Sequence, residues 1–143
     1  MDEPHLGRLL QEAQRALADE LLQNLAERGY TDVRAGHAAV FMNIDRRAGT
    51  RLTELARRAR MTKQGMMLLV DDLESRGYVR RVPDPEDGRA KLVRLTARGR
   101  NYVGEARRVM AAVESRARRQ LGFRRYHAFR TALEELLGEE PSE

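Results

Sequence analysis

The chain has no cysteine and no tryptophan, only two lysines (Lys63 and Lys91), four prolines, and an aromatic share of 5% over 143 residues. Without cysteine there is no disulfide framework, no cysteine-ligated zinc site, no thiol nucleophile and no thiol redox sensor. No apolar run approaches the roughly 18 residues that a membrane-spanning helix needs. The opening Met1-Asp-Glu-Pro4 is acidic and carries neither a basic nor an apolar stretch, so it does not read as a signal peptide. His5, His37 and His127 lie far apart in sequence, which argues against a metal site. These absences predict a soluble, cytoplasmic single domain with no cofactor, no metal and no membrane partner.

What is present is apolar material and arginine. The chain is 41% hydrophobic and 34% charged, enough of the first for a core, with a net charge of +5. All but two of its 27 basic residues are arginine. The charge is segregated: residues 1–50 carry a net −2, residues 51–100 a net +6 and residues 101–143 a net +1. A GC-rich genome accounts for arginine over lysine but not for this placement. A basic middle third between near-neutral flanks suggests that a polyanion meets that third.

Apolar periodicity divides the chain into helices around one hairpin. Leu6, Leu9, Leu10, Ala13, Leu17, Leu21 and Leu25 repeat at helical spacing from Pro4 to Arg28, with Gly29 as the stop. A helix of that length cannot bury its whole stripe in so small a domain, so part of it is expected to meet a second chain. A second helix is predicted over Arg34–Asp45, burying Ala38, Phe41 and Met42 together with Val40 and Ile44. His37 and Phe41 share a face of it, with His37 read as a core or surface histidine.

Arg51-Leu52 reads as a short strand and Thr53 as the N-cap of a short helix carrying Leu55, Ala56 and Ala59. Arg60-Met61 is the turn. Thr62 is a second N-cap, opening a helix through Arg76 with Met66, Leu69, Val70 and Leu73 facing inward and Gly77 ending it. Tyr78–Val82 and Lys91–Thr96 read as strands around a polar loop rich in turn residues. Helix-turn-helix plus hairpin makes a winged helix. Thr96 then caps a long helix to about Gln120, with Tyr102, Val103, Ala106, Val109, Met110 and Val113 on one face. Leu121-Gly122 breaks it before a last helix striped by Tyr126, Phe129, Leu133, Leu136 and Leu137. The fold class is mainly α (α+β). Residues 31–99 form the winged helix-turn-helix, and residues 1–30 and 100–143 supply dimerisation helices within one domain.

At about 100° per residue, Gln64, Leu68 and Asp71 point away from the inward face of the second helix of the pair, with Met67 and Lys63 on the flank. In a helix-turn-helix the exposed N-terminal positions Thr62, Lys63, Gln64, Met67 and Leu68 can reach base edges of double-stranded DNA. Lys63 can donate to phosphate or guanine and Gln64 can pair with adenine. Thr62 and the free N–H groups of the first turn can hold a phosphate. Met67 and Leu68 suit either a thymine methyl or a neighbouring helix. On the hairpin, Arg89 is placed to enter a minor groove and Lys91 adds a second cation. Arg81 and Asp87 are assigned to support this wing, Asp87 by pairing with a nearby arginine.

Leu73–Arg81, and then Asp84–Gly99 with Asp87, Arg89, Leu95, Thr96 and Gly99 in their places, closely resemble the MarR family of bacterial transcription regulators. The wing pattern there is an Asp-x-Arg, a strand ending in Leu-Thr, and a glycine three residues on. The flanking helices agree in length and order, so the resemblance covers nearly the whole chain. It implies a homodimer that binds a pseudo-palindromic operator, acts as a repressor, and is released by a small phenolic or lipophilic effector held between the dimer helices and the winged helix. No effector-binding residue is assigned. The chain departs from the resemblance at Leu68 and Asp72, which are commonly polar or basic in the family. The absence of cysteine excludes the branch that senses peroxide through a thiol.

Two other classes compete. A small enzyme is opposed by the missing nucleophile motif, phosphate-cradling glycine loop and histidine constellation. Its adjacent acids, Asp71-Asp72 and Glu134-Glu135, point about 100° apart on a helix and do not converge. A winged-helix interaction adaptor without strong DNA affinity would use Met67 and Leu68 as its contact patch.

Overall fold

A computed structural model describes residues 3–139. Helix α1, Leu6–Glu27, starts from His5, whose Nδ1 accepts the Arg8 N–H at 3.1 Å, so Pro4 lies just before the helix rather than in its first turn. Leu25 is fully buried near its end, while Leu6, Leu9, Leu10 and Leu17 stay exposed.

The segment after it is much shorter than its periodicity predicts. A single 3₁₀ turn, Ala35–His37, runs into the four-residue helix α2, Ala38–Phe41. Val40 and Ile44 are buried as expected, but Ala38 is exposed and Met42 is 80% exposed. The helical ladder does not reach Asp45 because the Asp45 N–H donates to the Thr50 hydroxyl at 2.8 Å instead of to the turn before it, and the Asp45 carboxylate takes the N–H groups of Arg47 and Ala48, both at 2.9 Å. An aspartate that binds the backbone ahead of it offers an alternative to the helical ladder, and here it wins.

Strand β1, Thr50–Arg51, pairs antiparallel with strand β3, Lys91–Leu95, through Thr50↔Val93 and Arg51↔Leu92. That pairing sets the start of helix α3, Leu52–Arg58, with Arg51 at its N-cap position, so Thr53 lies inside the helix rather than capping it. Glu54 in its first turn binds Arg57 and Arg58, and those guanidinium groups hold its carboxyl at about 2. Arg60 takes a left-handed φ of 54° in the turn. Helix α4, Lys63–Ser75, then opens on Thr62, whose Oγ1 accepts the Gly65 N–H at 3.0 Å. Met66, Val70 and Leu73 are fully buried on its inner face. Burying each contributes about 1.5–3 kcal/mol.

Gly77, at a φ of 83°, turns the chain out of α4 into Tyr78 and strand β2, Val79–Pro83. β2 pairs with β3 from Val79↔Leu95 to Pro83↔Lys91, and β1 adds to the other edge of β3. The hairpin is thus the larger part of a three-stranded antiparallel sheet in the order β1-β3-β2, and it does not have to stand alone.

One junction ties these pieces together. The Tyr78 carbonyl accepts the Thr96 N–H at 3.0 Å, and the Thr96 hydroxyl donates to the preceding Gly77 carbonyl at 2.6 Å, with the Tyr78 oxygen 3.1 Å away. Thr96 Oγ1 in turn accepts the Gly99 N–H at 3.1 Å, capping helix α5, Ala97–Leu121. A Cβ on Gly99 would lie 2.1 Å from that same carbonyl oxygen. Tyr78 is fully buried and its ring centroid stands 5.6 Å from that of Tyr102, edge to face. Tyr30 and Phe41 close the aromatic cluster on Tyr102 at 5.3 and 4.5 Å. The Tyr78 hydroxyl donates to Asp32 at 2.6 Å, and Arg98 donates to the same carboxylate at 3.1 Å while lying over the Tyr78 ring.

The chain divides into two compact units, one ending at Ala106 and one starting at Arg107. The first holds the core just described. The second holds the remainder of α5, with Val109 and Val113 buried, and helix α6, Phe123–Leu137. Gly122, at a φ of 80°, separates the two helices, and Arg130 bridges Glu114 and Glu134. No residue of α6 is buried, and Phe123, Phe129, Leu136 and Leu137 are exposed.

Gly99→Ala is expected to destabilise the fold at or above the top of the usual ~1–3 kcal/mol for overpacking, because the obstacle is a backbone carbonyl. Denaturant unfolding checks this, and a loss below 1 kcal/mol would refute the close approach. Burial works to raise the Asp32 carboxyl, but the Tyr78 hydroxyl and the Arg98 and Arg76 cations outweigh it and hold it below the usual range. A carboxylate depressed on folding stabilises the fold above its unfolded value and loses that contribution as pH falls toward its folded value. Melting temperature should therefore fall from about pH 5 to about pH 3, and Asp32→Asn should flatten that slope. An unchanged slope would remove Asp32 from the linkage.

Candidate nucleic-acid interface

The first turns of α4 are anchored from inside and open outside. The Thr62 cap and the buried Met66 fix the helix start, which leaves Lys63 and Gln64 exposed. Leu68 is 63% exposed, and Met67, at 38%, is partly covered. Lys63 also borders a groove of about 320 Å³ with Arg51 and Thr53 on one side and Arg81, Ala90 and Lys91 of the hairpin on the other. The fold thereby brings the chain's two lysines to one groove.

The later turns of α4 carry three acids, Asp71, Asp72 and Glu74, which are held by two of the protein's own cations, Arg81 and Arg76. Arg81 donates to Asp71 at 2.6 Å and to Glu74 at 2.8 Å, and its backbone N–H donates to Glu74 at 2.9 Å. Arg81 therefore fastens β2 to α4. Asp72 accepts from Arg76 Nε at 2.9 Å and from His37 Nε2 at 2.6 Å. Arg76 and then His37 hold its carboxyl below the usual range. The buried His37 has its tautomer set by the backbone: Nδ1 accepts the Arg34 N–H at 2.9 Å, so Nε2 carries the proton that Asp72 receives. Asp72 is thus a tie from α4 to the 3₁₀ turn. The i,i+4 spacing of Asp72 and Arg76 signals half of that tie in the sequence, whereas His37 lies 35 residues away.

The wing loop is held from its base. Asp84 is buried, with Arg51 donating to it through Nη2 at 2.6 Å and Nε at 2.8 Å. Its Oδ1 also accepts the Glu86 N–H at 2.9 Å, and its own N–H donates to the Ala90 carbonyl at 2.9 Å. The Glu86 amide and the Arg51 cation lower its carboxyl. The arginine pair expected of Asp87 is made by Asp84 instead. Asp87 accepts the Arg89 N–H at 3.1 Å and shapes the tip without a guanidinium partner. The physical reason is position: Asp84 directly follows β2 at the end of the sheet, where the Arg51 side chain of β1 meets it, whereas Asp87 lies further along the loop and acts on Arg51 without a hydrogen bond. Arg89 and Lys91 are exposed and, like Lys63, make no ion pair among the described residues.

The described residues contain no cluster of three or more side chains able to hold a metal, and no helix among them is long and apolar enough to cross a membrane. Chemically, the surface offers unneutralised cations and an amide on α4 and the wing, with the neighbouring acids internally matched. It suits a polyanion.

Residues 29–90 match a sequence model of the MarR family. The chain is 30% identical over 135 residues to the HTH-type transcriptional repressor Rv2887 of Mycobacterium tuberculosis, covering 94% of this chain and 95% of that one. The structure of that protein in complex with salicylic acid superposes with a TM-score of 0.67, covering 94% of this chain and 98% of that one. The repressor CouR bound to a 23-mer DNA duplex superposes with a TM-score of 0.74 at 25% identity, covering 93% and 92%. The reduced form of MarR from E. coli, at 22% identity, shares the fold with a TM-score of 0.79 over 96% and 99%. With winged-helix geometry and near full-length similarity to a repressor both in hand, the chain belongs to the MarR family of transcription regulators.

Proposed function

We propose that this protein represses transcription by binding a pseudo-palindromic operator as a homodimer, with Thr62, Lys63, Gln64, Met67 and Leu68 in the major groove and Arg89 in the flanking minor groove. Thr62 and the first-turn amides take a phosphate, Lys91 takes another, and Arg81 and Asp87 keep the wing in shape. The observation that carries this reading is the contrast along α4. Its first turn is open and chemically free, while Asp71, Asp72 and Glu74 behind it are matched by Arg81, Arg76 and His37. Two arginines set against three carboxylates, with His37 hydrogen-bonding one of them, reduce the repulsion that a phosphate backbone would otherwise meet. The DNA complex of CouR is consistent with it.

The homodimer rests on the apolar side chains left exposed on α1 and α6, Leu6, Leu9, Phe129, Leu136 and Leu137 among them, which need a partner surface. Release by a small aromatic, acidic effector is supported by the salicylic acid complex of Rv2887. The exposed Leu68 favours a second reading, an interaction adaptor, and DNA binding separates the two.

A gel shift with the DNA flanking the protein's own gene should show nanomolar binding that weakens steeply between low and physiological salt. The absence of any salt-sensitive shift would favour the adaptor. Lys63→Ala should lower affinity for all sequences and reduce the salt slope by about 1, and Arg89→Ala should weaken binding by about 1–3 kcal/mol. Unchanged binding by Arg89→Ala would take the wing out of the mechanism. Light scattering should give about twice 16.4 kDa, and a monomer at micromolar concentration would contradict the dimer.

A further inference from the structure

The operator-binding reading leaves an oddity on the outer face of α4. Gln64, Met67 and Leu68 stand at i, i+3 and i+4, so they form one contiguous patch. Two of its three members are apolar and exposed, Leu68 to 63%. Leu68 can neither donate nor accept a hydrogen bond, and the outward groups beyond it are occupied: Asp71 by Arg81 and Asp72 by Arg76 and His37. The helix thus has one amide and one ammonium for polar readout near its start, and then a hydrocarbon surface.

A major groove offers such a surface one apolar feature, the methyl group on C5 of thymine. Cytosine shows only hydrogen at that place, so the methyl is also the group that cytosine gains when it becomes 5-methylcytosine. We infer that Leu68, assisted by Met67, reads pyrimidine C5-methyl groups in the operator, and that the protein therefore binds 5-methylcytosine in preference to cytosine at the same positions. The inference rests on the operator-binding reading and adds the chemical group that is read. Gln64 and Leu68 are separated by about 6 Å along the helix axis. That spans about two base-pair steps, so an adenine held by Gln64 and a methyl held by Leu68 lie within about two base pairs of each other.

The test uses the full-length protein and a duplex that it selects from a randomised pool. Each thymine of one half-site is replaced in turn by deoxyuridine, which removes only the methyl. Affinity should fall about four-fold at one or two positions, the equivalent of about 0.8 kcal/mol for one buried methyl. With cytosine and 5-methylcytosine placed there, the wild type should prefer the methylated base by a similar factor. Leu68→Ala, an exposed substitution whose melting temperature should match the wild type, should bind thymine and deoxyuridine alike. Retained binding with no deoxyuridine-sensitive position would overturn the inference and leave the operator reading standing. So would equal sensitivity in the wild type, Leu68→Ala and Met67→Ala. Failure to select any duplex would overturn both.

Discussion

The backbone carbonyl of Tyr78 is the point on which the relation between α4 and the hairpin depends. It receives the Thr96 N–H and has Gly99 pressed against it, while the Thr96 hydroxyl binds the adjoining Gly77 carbonyl, so the end of α4, the start of the hairpin and the start of α5 meet at this peptide. Its side chain is buried in the core and its hydroxyl ends on Asp32, which also takes Arg98. Displacing this junction would move recognition helix and wing relative to each other. A fixed relation between them is what reading two adjacent grooves requires, because neither element alone sets the register.

Electrostatics then decides which parts of the surface are left for a ligand. The chain carries many acids in the same stretch as its excess arginine, and the fold sorts them. Arg81, Arg76 and Arg51 are spent on Asp71, Glu74, Asp72 and Asp84, which fasten wing to helix and loop to sheet. Lys63, Arg89 and Lys91 carry no such duty. Surface ion pairs of this kind contribute only ~0–1 kcal/mol each, so their importance lies in orientation. The basic middle third is thus two populations of cation, one structural and one free, and only the second is available to phosphates.

The parts of this arrangement that were legible in the sequence are those written in short-range chemistry. Thr62, Gly77, Thr96 and Gly122 mark helix ends through capping and left-handed backbone, and the structure places them there. The apolar faces of α4 and α5 follow from spacing alone. The helix predicted over Arg34–Asp45 fell short because the Asp45 N–H goes to the Thr50 hydroxyl and its carboxylate to the amides that follow, a competition that apolar periodicity does not register. Thr53 failed as a cap because a strand pairing between Thr50 and Val93, far apart in sequence, moved the helix start. Asp84–Arg51 and His37–Asp72 were hidden for the same reason, being 33 and 35 residues apart. Within the interface, the exposed residues of α4 could be listed from the helical wheel, whereas the groove that unites Lys63 with Lys91 exists only in the folded chain.

A rigid junction, internally matched acids and a free first turn together define a narrow contact surface, and mapping that surface is the direct test. Backbone amide chemical shifts of the full-length protein, followed while a selected duplex is titrated in, should change most at Thr62–Leu68 and at Asp84–Lys91. Asp71–Arg76 and Thr96–Gly99 should stay nearly still, since their partners are already inside the protein. Large shifts at Asp71–Arg76 with Thr62–Leu68 unmoved would contradict it.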